Sequence, residues 1–287
     1  TQAGRDVTFL VRPDRAAQLN VRGLEIRSPH GDVTLQPKLL TAPELRATFD
    51  AILLTVKGFA LDAAINDIAP AVGPDTIILP VLNGMRHVDL LTARFGRTAL
   101  GGCACKCATT LDEKGRIIQL NGLQDLAYGE MDGTRSARIE ALDDFMKDAG
   151  FDARLSPVIA REMWEKWLLL AAMGAITCLM RGTVGEVEAA AGGHEFAREV
   201  IDEAVAIIGA VGIPPSDVTV ETTRKLLTLK GSPQTSSMYR DLQNGRRIEA
   251  DEILGDLVRR GNDAGIKAPL LAAAYTQLSV YRNRAEA

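Results

Sequence analysis

Five short strand-like runs punctuate the first 130 residues, and their alternation with helix-like segments constrains the fold more than any other feature. They are VTFLV (7–11), AILLTV (51–56), TIILPVL (76–82), ALGGCAC (99–105) and LAYGE (126–130). Helix-like segments at 15–21, 60–68, 86–95 and 136–149 accompany them. Short continuous apolar strands alternating with helices predict a parallel sheet covered on both faces. The more polar stretch 22–40 reads as a small hairpin turning near His30, Gly31 and Asp32. Gly115 and Asn121-Gly122 mark turns of an antiparallel extension. After about Leu155 the strands stop, and segments 160–180, 183–212, 217–230, 236–261 and 269–284 all read as helices. A break near Ser156-Pro157 divides the chain into an α/β domain (1–157) and an all-α domain (158–287).

Composition excludes several classes of function. A hydrophobic content of 46% with 24% charged residues belongs to a folded globular chain. A net charge of −4 gives no general attraction to nucleic acid or to an anionic membrane, and neither is expected as a partner. The apolar run from Trp167 to Met180 falls short of the roughly 20 residues needed to span a bilayer and reads as a buried helix. Cys103, Cys105 and Cys107 alternate, so a strand would point them to one side, where they do not by themselves surround a tetrahedral metal. With Cys178 they are expected to be buried reduced thiols, which fits a cytoplasmic location.

Candidate chemistry gathers at strand ends. In a dinucleotide-binding sheet the second strand ends near the adenosine ribose, where a guanidinium would hold a 2′-phosphate. Arg12 stands at that kind of position, with Arg15 after it. Lys57-Gly58 ends the next strand and Asn83-Gly84 the one after, so three consecutive strand ends carry polar groups on the edge where ligands bind. Lys166 sits where a polar first turn meets the apolar helix. Glu162, four residues earlier, makes a surface ion pair an equal reading to a tuneable proton donor. Ser237, Asp241 and Glu249 fall in what reads as one helix, with Met238, Leu242, Ile248, Ile253 and Leu257 on its packing face. Their polar rim offers hydrogen bonds and carboxylates to something small. On a straight helix, however, Ser237 and Glu249 would stand about 120° apart.

Taken together, DVTFLVR, ILLTVK, ILPVLNGM, EMWEKW, SSMYRDLQNGRRIEADEILG and AGIKAP resemble the ketopantoate reductase (2-dehydropantoate 2-reductase) family, in order and over nearly the whole chain. The resemblance implies a Rossmann-type domain followed by a helical domain, an active site in the cleft between them, and NADPH as cofactor. It implies that Lys166 is the catalytic proton donor and that Glu249 hydrogen-bonds the nascent hydroxyl, orients the lysine and helps hold the cofactor. Ser237 and Asp241 would contact substrate, Asn83 and Gly84 the nicotinamide and substrate, Arg12 the 2′-phosphate, and Lys57 the cofactor loop. The expected reaction is reduction of 2-dehydropantoate to pantoate, on the pathway to pantothenate. The expected assembly is a homodimer.

Three departures qualify this expectation. TQAGRDVTFLVRP reads as a helix end with a Gly4 cap running into a strand, so the first strand and its glycine-rich loop, about 20 residues before Asp6, are expected to be missing here. A chain without that loop should bind NADP poorly. Second, family asparagines four and eight residues after the lysine are Leu170 and Gly174 here, which predicts a greasier, roomier pocket. Third, Ala60 replaces a residue that is often polar. A reductase of another, more apolar keto acid, an opine-type dehydrogenase, and a non-catalytic ligand-sensing relative are the alternatives these departures raise.

Overall fold

The computed structural model describes residues 1–286. The chain divides into two compact units. The first comprises Thr1–Val56, Ala60–Val81 and Leu91–Ile159. The second takes Lys57–Phe59 and Leu82–Leu90 together with everything from Ala160 onward.

In the first unit, β1 (Thr8–Leu10) is followed by α1 (Pro13–Arg22), whose first turn tolerates Pro13 because its N–H would be unpaired there in any case. β2 (Leu24–Arg27) and β3 (Val33–Leu35) form the hairpin expected near Gly31, and β4 (Lys38–Leu40) pairs in parallel with β1. β5 (Ala51–Leu54) leads to α2 (Leu61–Ile68) and then to β6 (Ile77–Pro80), which pairs in parallel with β5, Ala51 opposite Ile77. All four β6 residues are buried, as a strand covered on both faces requires. After α3 (Arg86–Phe95) the chain returns as β7 (Gly101–Leu111), joined to β6 through a parallel bridge between Ile78 and Leu100.

β8 (Ile117–Glu130) runs antiparallel to β7, the antiparallel extension expected around Gly115, so the sheet is mixed and not wholly parallel. Gly115, at φ +76°, makes the turn between them. Asn121-Gly122 does not: it lies in an irregularity within β8, where pairing steps from Thr109–Gln119 to Cys107–Gln124. There the Asn121 side chain accepts a bond from Leu123 N, offering the backbone a partner other than the ladder. α4 (Ala137–Met146) and β9 (Asp152–Leu155, parallel to β8) complete the unit. Its core packs Ile77 and Leu79 with Cys103, Leu126, Tyr128, Ile139, Leu142 and Met146. Each fully buried aliphatic side chain contributes about 1.5–3 kcal/mol. Cys103 is buried, Cys105 half-buried and Cys107 exposed, so the expected burial of all the thiols fails at Cys107, where β7 runs past the core.

The second unit is built around α5 (Ile159–Met180), in which Trp167, Leu168, Ala171, Ala172, Ala175, Ile176 and Cys178 are almost wholly buried. At 22 residues this helix is longer than its apolar run alone, and by length and composition it could cross a membrane. Here 61% of its apolar window is buried within the fold. The segment read as one helix over 183–212 breaks at Ala190–Gly192 into α6 (Val184–Ala189) and α7 (Gly193–Val211). α8 (Asp217–Leu227) starts at Ser216, whose hydroxyl and amide both donate to Glu165.

The largest revision concerns 236–261, which is not one helix. α9 (Ser237–Gln243) ends at Asn244, and Gly245 at φ +66° turns the chain away. Residues 246–249 are irregular, and a π-helical turn, Asp251–Gly255, runs into α10 (Asp256–Asp263). α11 (Pro269–Glu286) follows, its first amides, Leu270 N and Leu271 N, donating to the Glu203 carboxylate of α7 at 3.1 and 2.9 Å.

Candidate active site

The two loops that leave β5 and β6 carry the strand-end residues into the helical unit. Lys57 Nζ lies 3.1 Å from Glu249 Oε2 and 3.6 Å from Asp241 Oδ2. Gly58 N donates to Glu249 Oε1 at 3.0 Å. Glu249 is buried, and these two donors satisfy a carboxylate that water hardly reaches. Burial would lower the Lys57 pKa, but Glu249 and then Asp241 outweigh it and the net shift is upward. Lys57 stays charged. Phe59 fixes the far side of the loop under the Arg247 guanidinium, 4.2 Å from its ring centroid.

The break in the predicted helix is what makes this cluster possible. With α9 ended at Gly245, Glu249 no longer shares a straight axis with Ser237, and it reaches Lys57 from the chain entering the π turn. The wider π turn is held from α5: Trp167 Nε1 donates to Ile253 O at 2.9 Å. Gly84 closes against the same turn, because a Cβ there would lie 2.4 Å from Glu252 O.

Glu252 had no signal in the sequence reading beyond being one of three acids within four residues. Its side chain lies flat on Gly58, where an added Cβ would meet its Cγ at 2.3 Å. Burial, then the neighbouring Glu249 and Asp251 charges, push its pKa up, while its own amide and Arg86 pull the other way. The folded-state pKa therefore lies above the unfolded one. Stability from this group is full below the unfolded value and is lost as pH rises through the folded value. Glu252→Gln is accordingly expected to raise Tm at about pH 7, with the gap narrowing by about pH 4. Thermal unfolding of both proteins at the two pH values checks it, and a lower Tm for the variant at neutral pH would refute it.

Lys166 lies in the second turn of α5, half-buried, with Leu170 one turn further on and also half-buried. His87, in the first turn of α3, is a second residue the sequence did not reveal. It is 2% exposed, neither ring nitrogen has a hydrogen-bond partner, and burial, with Lys166 and Arg260 near, pushes its pKa down to about 3. It is a neutral imidazole beside two cations. Arg260 is held by the buried Asp256 and by Asp89, and its guanidinium stands 5.9 Å from the Trp167 ring centroid. Asn83 is half-buried just before Gly84, and Ser237 is half-buried at the first position of α9.

Gly174 corrects one expectation. The Met238 methyl would lie 2.8 Å from a Cβ there, so the space is filled with a thioether and the pocket is not roomier at that point. In the first unit, Arg12 stands exposed at the end of β1, immediately before α1, while Arg15 turns to Gly115 O. The structure thus brings Lys57, Asp241 and Glu249 together, and Arg12 is exposed at a strand end.

Family models match most of the chain: "Ketopantoate reductase PanE/ApbA" over residues 1–133 and its "C terminal" partner over residues 158–282. The chain belongs to the ketopantoate reductase family. It is 33% identical to the uncharacterized oxidoreductase YkpB of Bacillus subtilis over 98% of this chain and 92% of that one. It is 29% identical to a 2-dehydropantoate 2-reductase of Archaeoglobus fulgidus over 92% of this chain and 85% of that protein. A crystal structure of 2-dehydropantoate 2-reductase from Geobacter metallireducens superposes with a TM-score of 0.84 at 27% identity, covering 97% and 92% of the two chains. The Rossmann-type α/β plus all-α plan is the plan of that family, whose members are oxidoreductases.

Proposed function

We propose that this ketopantoate reductase family member reduces a 2-keto acid to the 2-hydroxy acid with NADPH, 2-dehydropantoate being the first acid to test. The observation that carries the reading is Lys166, a half-buried ammonium on an apolar helix, in the same compact unit as Asn83, Ser237 and Glu249. A bound nicotinamide would supply hydride to the carbonyl carbon. Negative charge then develops on the carbonyl oxygen. Lys166 stabilises that charge and transfers a proton to it, completing the hydroxyl.

Glu249 is held in place by Gly58 N and Lys57 Nζ, and each of its oxygens keeps lone-pair capacity for a substrate hydroxyl or the cofactor amide. Ser237 and Asn83 supply hydrogen bonds to the acid's carboxylate and carbonyl. The donor set also fits the phosphate end of NADPH, since Arg12 presents an exposed guanidinium at the end of β1. The test is NADPH oxidation by the full-length protein with 2-dehydropantoate and a panel of other 2-keto acids. Turnover of one or more supports the reading, and no turnover of any, in protein shown to bind NADPH, refutes it.

A further inference from the structure

Beyond Lys166, the helix that carries it turns no polar side chain toward its half-buried stripe. Its half-buried stripe continues from Lys166 through Leu169, Leu170 and Met173, spaced three and four residues apart on one face. Every polar side-chain atom beyond Lys166 is turned elsewhere. Trp167 Nε1 donates to Ile253 O, and Thr177 Oγ1 donates to Met173 O at 2.7 Å and lies 2.9 Å from Ser236 Oγ. Cys178 Sγ is buried 3.9 Å from the same Ser236 oxygen. At Gly174 the apolar wall continues as the Met238 methyl, with Ile253 Cγ2 3.9 Å from the Cβ position.

A 2-keto acid that places its carbonyl oxygen at Lys166 has two groups left on the carbonyl carbon. One helical turn is about 5.4 Å, so the group directed along α5 meets Leu170 and then Met173. A carboxylate there would be desolvated against leucine and methionine without a partner, which leaves the side chain as the group that fits. A hydroxyl on that side chain would surrender its water hydrogen bonds with nothing in return. Met173, half-buried on this stripe, and the buried Met238 packed against Gly174 behind it adapt to branched or bulky shapes rather than to one outline.

Building on the reductase reading above, we infer that this site selects 2-keto acids whose side chain carries no hydrogen-bonding group, with Leu170 and Met238 as specificity-determining residues. A matched pair tests it: trimethylpyruvate differs from 2-dehydropantoate only in lacking the hydroxyl. Full-length wild type is expected to show kcat/KM about 10–100-fold higher for trimethylpyruvate, the range that apolar pockets achieve. Leu170→Asn, which puts an amide on the stripe, is expected to shrink that ratio about tenfold or more, whereas Leu170→Met keeps it. A wild-type preference for 2-dehydropantoate overturns the inference while leaving the reductase reading intact. So does a ratio unchanged in Leu170→Asn. Turnover of neither acid nor of any other 2-keto acid overturns the reductase reading itself. If Leu170→Asn does not fold, the wild-type ratio decides alone.

Discussion

Replacing Lys166 by alanine is expected to lower kcat by about 10²–10⁴ with little change in NADPH affinity. Hydride arriving at a ketone leaves an alkoxide, and on the proposed mechanism its proton comes from a group already in place, the half-buried Lys166. An ammonium in that proposed role would do two things at once: lower the energy of the developing charge and deliver the proton. Its loss leaves the cationic neighbourhood of Arg260 and the neutral His87, neither of which can replace it. Arg260 does not give up a proton, and His87 is uncharged and unpartnered. Steady-state kinetics and NADPH titration of wild type and variant measure the split. A kcat equal to wild type would remove Lys166 from the mechanism.

Gly84→Ala is expected to cost about 2–5 kcal/mol of stability and to reduce activity as well. Two effects add at this position. The backbone stands at φ +77°, where an alanine costs about 1–2 kcal/mol. The new Cβ would also lie 2.4 Å from Glu252 O, a backbone atom that cannot swing aside as a side chain end would. Forcing such an overlap apart typically costs about 1–3 kcal/mol. The displaced carbonyl belongs to the π turn that Trp167 holds through Ile253 and that Glu249 enters, so the Lys57–Glu249 contact moves with it. Gly245 is the control: its φ is +66° with no atom within 4 Å of an added Cβ, so Gly245→Ala should show the dihedral cost alone. Thermal unfolding of both variants separates the two effects, and equal losses would mean that the contact at Gly84 relaxes without cost.

Much of the architecture was legible in the residues because it rests on local patterns. AILL and IILP are continuous apolar runs of strand length, and they form a buried parallel pair. The 86–95 segment is the helix its periodicity predicts. The 236–261 segment was misread because its apolar spacing continues through a break. Periodicity registers which residues are buried, and Met238, Leu242, Ile248, Ile253 and Leu257 are all buried, but they are spread over α9, the irregular 246–249, the π turn and α10 instead of one helix. Only Asn244-Gly245, a C-cap pair, marked the interruption.

The sequence by itself determined most strands and helices, though not the breaks inside 183–212 and 236–261, and the polar groups at their ends: Arg12, Lys57 and Asn83 after strands, Lys166 at the border of an apolar helix. Short-range pattern and turn chemistry suffice for that. Tertiary structure alone decided which of these groups meet. Lys57 and Glu249 are 192 residues apart in the chain, and no local signal announces their ion pair. Nor does one announce the pressing of Glu252 onto Gly58, the burial of His87 near Lys166 and Arg260, or the Met238 methyl that occupies the space Gly174 leaves. For Glu249 and Glu252, the π turn and the Gly245 break set the chain down where packing, not propensity, selects the neighbour.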